Sequence, residues 1–234
     1  MRPTLALFDI DGTLVDTAGA GRLGLEASFR SVFGRADIER FASRVRFGGN
    51  SDPHIIALIA QEAGIAKGEV EARYGEFQHA YLEALRNELA LPNPRRRVMP
   101  GVRPLLDTLA ARPDVTLGLV TGNIEEGARI KLDAFGLNRY FLDGGFSSDH
   151  PDRGEIARIA HQRLSRRAGF HFPADRVMVI GDTELDIACA RANGFRSIAV
   201  PSGWVSRDEL QAAGPDILLA DLTDPAAVLA AMDL

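Results

Sequence analysis

Short apolar runs recur along the chain at Leu5–Phe8, Val115–Val120, Val177–Ile180, Ser197–Val200 and Asp216–Leu219. Runs that are apolar without alternation suit strands buried on both faces, as in a parallel sheet covered by helices. Between the later runs, apolar residues fall three and four apart over Val102–Ala111, Glu125–Phe135, Glu155–Arg167 and Asp186–Asn193, the spacing of amphipathic helices. Strand–helix alternation from about residue 97 onward predicts an α/β fold with a doubly wound parallel sheet.

Residues 17–93 break that alternation. Only helical spacing occurs there, over Arg22–Phe33, Asp37–Arg44, Pro53–Ala63 and Lys67–Leu89. Pro92, Pro94, Pro100 and Gly101 then punctuate the return to strands. The expected organisation is an all-helical cap, 17–93, inserted after the first strand of a core formed by 1–16 and 94–234. Hinges fall near 14–17 and 93–100. The run Arg95-Arg96-Arg97 lies in the second hinge and is expected to be a solvated linker.

Composition bounds the function classes. Of 234 residues, 46% are hydrophobic and 25% charged, which suits a globular chain with a sizeable core and excludes disorder or low complexity. A net charge of −5 gives no global support to a nucleic-acid or anionic membrane partner. No apolar run approaches the ~20 residues of a membrane span, and the N-terminus lacks a signal peptide's long apolar segment. Cys189, the single cysteine, cannot form an internal disulfide and sits on an apolar helical face. A cytoplasmic protein is expected, monomer or homodimer, with no nucleic-acid and no membrane partner. Lys67 and Lys131 are the only lysines.

In open α/β sheets ligands bind beyond the carboxyl ends of the strands. The residues following the apolar runs are Asp9-Ile10-Asp11-Gly12-Thr13, Thr121-Gly122-Asn123, Gly181-Asp182-Thr183-Glu184-Leu185-Asp186 and Pro201-Ser202-Gly203-Trp204. Each alone has an ordinary explanation. Asp11-Gly12 is a common turn, and Thr121 or Asp182 could cap a helix. An EF-hand loop also begins Asp-x-Asp, but its twelfth position here is Ala20, which excludes it. Together they place acids, a hydroxyl and an amide on one sheet edge.

The set Asp9-Ile10-Asp11-Gly12-Thr13-Leu14-Val15, Thr121-Gly122-Asn123 and Gly181-Asp182-Thr183-Glu184-Leu185-Asp186 resembles the haloacid dehalogenase superfamily. More narrowly it resembles the phosphoglycolate-phosphatase-like branch, with a helical cap inserted after the first motif. The resemblance implies that Asp9 attacks phosphorus and that Asp11 protonates the leaving alkoxide, then activates water. Dehalogenases of the superfamily keep no Asp at the Asp11 position, so phosphoryl transfer is favoured over carbon–halogen cleavage. Acids crowded around a phosphate dianion call for a cation, and oxygen ligands together with the resemblance imply Mg²⁺. The assigned metal residues are Asp9, Asp11 through its backbone carbonyl, Asp182, and Asp186 through water. Thr121 would donate to a phosphoryl oxygen, helped by the backbone N–H groups of Gly122 and Asn123.

The family normally supplies a lysine from the loop before the next helix. Here that loop reads Ser147-Ser148-Asp149-His150-Pro151-Asp152-Arg153-Gly154-Glu155, without one. Lys131 is placed ~12 Å down its helix from the strand end, out of reach. Arg153 is therefore expected to substitute, unless it only pairs locally; His150 is the competing candidate. Arg46 and Asn50, in the loop before Pro53, resemble the cap segment facing the site and are candidate substrate contacts. Arg22, Gly19, Gly21 and Gly24 could shape the same mouth, and Trp204 is expected to anchor its loop in apolar surroundings.

The function these residues imply is Mg²⁺-dependent hydrolysis of a small phosphorylated metabolite, phosphoglycolate-like compounds first. The alternatives are a phosphosugar mutase of the β-phosphoglucomutase type and a non-catalytic phosphate-binding relative. A phosphonate-cleaving relative would need a Schiff-base lysine in the cap, for which Lys67 is the sole candidate. A phospho-regulated receiver module would lack the long helical insertion.

Overall fold

The computed structural model describes residues 2–234. Six parallel strands form the sheet: β1 (Thr4–Phe8), β4 (Val115–Val120), β5 (Gly144–Gly145), β6 (Val177–Gly181), β7 (Arg196–Ala199) and β8 (Ile217–Leu218). Their order is β5-β4-β1-β6-β7-β8. β1 therefore lies between β4 and β6, with Phe8 paired to Leu119 on one side and Ile180 on the other. The residues that follow these three strands emerge side by side.

The uninterrupted apolar runs divide by alternate residues between the two faces. Ala6 and Phe8 of β1, with Met178 and Ile180 of β6, join α6 (Val102–Ala110), α7 (Glu125–Asp133) and α11 (Pro225–Ala231) in one cluster. Leu5, Leu7, Val177 and Val179 join α8 (Arg153–Ala168) and α9 (Glu184–Ala192) in another. All eight strand residues are 0% exposed, so each larger side chain among them contributes roughly 1.5–3 kcal/mol of burial. The α/β class with a doubly wound parallel sheet is the one the sequence predicts. α10 (Arg207–Ala213) completes the helices of this part.

Between β2 (Val15–Asp16) and β3 (Arg97–Val98) the chain is helical. It forms α1 (Ala20–Phe33), α2 (Glu39–Ala42), α3 (Asp52–Glu62), α4 (Lys67–Ala72) and α5 (Tyr74–Ala90). These helices share a separate apolar cluster, in which the rings of Phe29 and Phe77 meet edge-on at 4.7 Å. Ile124, just ahead of α7, plugs into that cluster from the sheet side. Lys67–Leu89 is not one helix: Arg73 leaves helical geometry (φ −111°, ψ 13°) and divides it into α4 and α5. Arg73 there stacks on Phe33 and donates to the Val32 carbonyl, tying the break to the end of α1.

The arginine run is a solvated linker only in part: Arg95 and Arg97 are exposed, but Arg96 is not. β2 and β3 pair antiparallel, Val15 opposite Val98 and Asp16 opposite Arg97, which form an ion pair at 3.2 Å. Arg96 turns inward and donates to the carbonyls of Thr17 and Leu91 at 3.2 and 2.6 Å. Its guanidinium thus ties the two connecting segments together. β5 escaped the periodicity reading because two glycines carry no side-chain pattern.

Candidate active site

The N–H of Asp9 donates to the Ile180 carbonyl at 3.0 Å, so Asp9 continues the ladder one residue beyond β1 and its position is fixed by the sheet. The residue is 4% exposed. Burial pushes its carboxyl up to about 6; Arg153 works in the opposite direction, and the neighbouring Asp186 and Asp11 add to the rise. Two residues on, Asp11 is held differently. Its Oδ2 accepts from Asn123 Nδ2 at 2.8 Å and from Lys131 Nζ at 2.6 Å. Lys131 Nζ also donates to Asn123 Oδ1 at 2.6 Å, closing a three-residue ring of bonds.

Lys131 corrects the sequence expectation. α7 starts only at Glu125, so Lys131 lies less than two turns into the helix, and helical side chains lean toward the N-terminus. Its four-carbon stem runs back along the buried face, leaving the ammonium at Asp11 with the residue 4% exposed.

Asn123 Nδ2 also donates to Thr121 Oγ1 at 2.7 Å, and the Asn123 backbone N–H turns to the same oxygen at 3.3 Å. Asn123 thus contributes through its side chain rather than as a free backbone donor. Gly122 sits where the helical segment touches the sheet edge: its carbonyl accepts from the Asp52 N–H at 2.7 Å. Asp52 Oδ2 in turn accepts from the Ile124 N–H at 2.9 Å. Nothing in the sequence spacing singled out Asp52. It is 6% exposed, and burial pushes its carboxyl up to about 6, with Lys131 opposing.

At the end of β6, Asp182 is fully buried. Thr13 donates to its Oδ1 at 2.9 Å, while Oδ2 has no hydrogen-bond partner among the described residues. Burial, then Asp9 and Asp186, push this carboxyl well above the usual range. A Cβ on Gly12 or Gly203 would fall 2.4 or 1.7 Å from that orphan oxygen, so both glycines keep space open around it. One carboxylate oxygen from each of Asp9, Asp182 and Asp186 lies within 4.8 Å of the others. These groups fit a divalent cation: the donors are all oxygen, and one is buried with nothing to bind.

Asp186 has both oxygens engaged, Oδ2 by the Thr183 N–H and hydroxyl in a capping box and Oδ1 by Arg153. Arg153 is the first residue of α8, set there by Asp152, whose side chain caps the Glu155 N–H. Its Nη2 reaches Asp9 Oδ1 at 3.0 Å, and its Nη1 donates to the Gly49 carbonyl at 3.0 Å. Burial disfavours its charge, but Asp186 and Asp9 outweigh that and hold it protonated. The guanidinium therefore bridges two acids of the sheet edge and the helical segment.

Asp9, Asp11, Asp52, Thr121, Asn123, Lys131 and Arg153 border one cavity of about 820 Å³. The haloacid dehalogenase-like hydrolase family matches residues 6–191, spanning every one of these positions. The chain belongs to that family.

Among curated relatives, the Phosphoglycolate phosphatase of Synechococcus elongatus is 30% identical over 93% of this chain and 93% of its own. Phosphoglycolate phosphatase 1 of Pseudomonas aeruginosa is 29% identical over 95% of this chain and 78% of its own. Among solved structures, CbbY from Rhodobacter sphaeroides in complex with phosphate superposes with a TM-score of 0.71 at 21% identity, covering 100% of both chains. A hydrolase from Pseudomonas syringae gives 0.69 at 21%, covering 97% and 98%. At these identities the structural likeness shows the fold.

The remaining sequence candidates divide. Arg46 and Asn50 both line the cavity, but Arg46 is paired with Glu184 at 2.8 Å and Asn50 Nδ2 donates to the Arg46 carbonyl. Gly19, Gly21 and Arg22 line the mouth, whereas Gly24 lies against the Tyr81 ring. Trp204 is not an apolar anchor: it is 66% exposed at the cavity rim, while its neighbour Val205 is the buried apolar residue of that loop. His150 accepts from the Asp152 N–H and does not face the cavity. Lys67 is exposed beside Glu71 and does not line the cavity, where a Schiff-base lysine would have to stand. No helix among the described residues is long and apolar enough to cross a membrane.

Proposed function

We propose that this hydrolase is a Mg²⁺-dependent phosphatase of small phosphate monoesters that works through an aspartyl-phosphate on Asp9. The observation that supports it most is the contrast between two carboxyls two residues apart. Asp9 is buried against Arg153, while Asp11 is fastened by Asn123 and Lys131 at the cavity wall.

Asp9 attacks phosphorus as the bond to the leaving oxygen breaks, and Asp11 gives its proton to that oxygen. Asp11 then takes a proton from water, which attacks the acyl phosphate, releases inorganic phosphate and restores Asp9. Arg153, not a lysine, neutralises the charge shared by nucleophile and phosphoryl group. Thr121 Oγ1 accepts from Asn123 and keeps its own proton for a phosphoryl oxygen. Asp9, Asp182 and the Asp11 carbonyl would hold Mg²⁺, with Asp186 reaching it through water; the ion supplies positive charge against the acids and the phosphate. The helical segment excludes water from the site, with Asp52 bonded to Gly122 and Ile124 at its underside. A lone, buried thiol at Cys189 suits a reducing cytoplasm.

Phosphate release from p-nitrophenyl phosphate, with and without Mg²⁺, tests the reading. Turnover should require the metal and disappear in Asp9→Asn. Turnover that survives Asp9→Asn would end it. The names of the relatives make 2-phosphoglycolate the first physiological ester to assay.

A further inference from the structure

One wall of the cavity takes no part in that chemistry. Tyr81 of α5 lines it and is 1% exposed, yet its hydroxyl has no partner among the described residues. An unbonded buried hydroxyl is costly unless a ligand atom completes it. Lys131 lies beside it, with two of its three N–H groups spent on Asp11 and Asn123. The two side chains meet over Gly21 of α1, where a Cβ would stand 3.2 Å from Lys131 Nζ and 3.8 Å from the Tyr81 hydroxyl. Asp52 completes the patch, with its Oδ2 taken by the Ile124 N–H. The residue borders the same cavity.

We propose that Tyr81, Lys131 and Asp52 form a leaving-group subsite for phosphate esters that carry a hydroxyl on the carbon next to the ester, that is, polyol or sugar phosphates. The inference rests on the phosphatase reading. Lys131 shares Asp11 Oδ2, the group assigned to protonate the leaving oxygen, so the subsite adjoins that oxygen. An oxygen on the neighbouring carbon is what it can hold. Charge selects which kind. Asp11 and Asp52 already set two carboxyl groups around one ammonium, and a substrate carboxylate would be a third. A hydroxyl can accept from both Tyr81 and Lys131 and donate to Asp52, leaving no group unmatched. Size agrees: 820 Å³ lies in the upper part of the ~300–1,000 Å³ range of clefts for drug-sized ligands, more than a two-carbon ester fills.

The test compares kcat and KM of the full chain with Mg²⁺ on glycerol 1-phosphate, propyl phosphate and 2-phosphoglycolate. Wild type should favour glycerol 1-phosphate over propyl phosphate at least tenfold in kcat/KM, mainly through KM, and also favour it over 2-phosphoglycolate. Tyr81→Phe should narrow the preference for glycerol 1-phosphate over propyl phosphate about fivefold, the worth of one neutral hydrogen bond. Its melting temperature should be no lower than wild type, because no bond within the protein is lost. Gly21→Ala, which suits helix α1 while filling the gap between the two donors, should narrow the same ratio. An absent preference, or a ratio unmoved by both variants, overturns the subsite. A preference for 2-phosphoglycolate that both variants erode overturns the hydroxyl assignment. Failure of the subsite leaves propyl phosphate turnover intact, whereas no turnover of any ester brings down the phosphatase reading itself.

Discussion

Replacing Arg153 by methionine probes the charge balance of the whole site. The side chain is 11% exposed and faces Asp9 and Asp186, themselves nearly buried. Methionine keeps most of the volume and removes the charge, leaving two acids without their counter-ion and Gly49 without its donor. Breaking a buried ion pair from one side costs about 3–5 kcal/mol. Protonation sets the ceiling: at pH 7.5 a carboxyl of ordinary value 3.8 can always take a proton, for about 5 kcal/mol. Asp9, already pushed up to about 6, has roughly 2 kcal/mol of that left to lose. Asp186 and the Gly49 contact account for the rest. For a chain of this length each kcal/mol moves the melting temperature by about 2–4 °C, so a drop of roughly 10 °C is expected. The assay is thermal melting of metal-free protein at pH 7.5 and 5.5. The sign at low pH follows from Asp9: its pairing with Arg153 needs the ionised form, which is lost as pH falls through about 6, so the gap should shrink. A gap under 2 °C at pH 7.5, or one that widens on acidification, would refute the reasoning. Phosphatase activity of the variant should fall with it at every pH.

Asp182→Asn should raise the melting temperature of metal-free protein by several degrees, since it removes a buried carboxyl that desolvation, Asp9 and Asp186 all penalise and that has an unpartnered oxygen. It should also abolish stabilisation by Mg²⁺, which at a hundredfold excess over Kd is worth about 2.7 kcal/mol in wild type; an undiminished Mg²⁺ shift would remove Asp182 from the metal site. Asp52 has a folded value raised from 3.8 to about 6, so its favourable contribution is complete below pH 4 and lost as pH rises through 6, about 3 kcal/mol in all. Urea unfolding of Asp52→Asn between pH 4 and 7.5 should lack that decline, and curves parallel to wild type would count against it. Gly122→Ala places a Cβ 2.4 Å from the Asn50 carbonyl oxygen, a backbone atom that cannot yield alone. The segment around Asn50 should be pushed off the sheet edge, with kcat/KM falling at least tenfold; kinetics like wild type would mean that contact is dispensable.

The sequence by itself determined the class of the fold and the edge on which the chemistry lies. Unbroken apolar runs encode burial on two faces, and that is a local property that periodicity reads directly, as Leu5–Phe8 and Val177–Ile180 show. The acids after those runs could be located because a parallel sheet puts every strand end on one side. What lies beside them was decided only by tertiary structure. Lys131 looked too far along its helix, because distance along an axis ignores where a helix begins and which way its side chains lean. Asp52 and Tyr81 carry no motif at all. They reach the site through the docking of α3 and α5 against Gly122, Ile124 and Gly21, a relation between segments scores of residues apart. The shortage of lysine was visible in composition. That Arg153 pairs with Asp9, and that Lys131 serves Asp11, required two helices to start at the same sheet edge, one reaching it from its first residue and the other by a side chain that leans back toward its start.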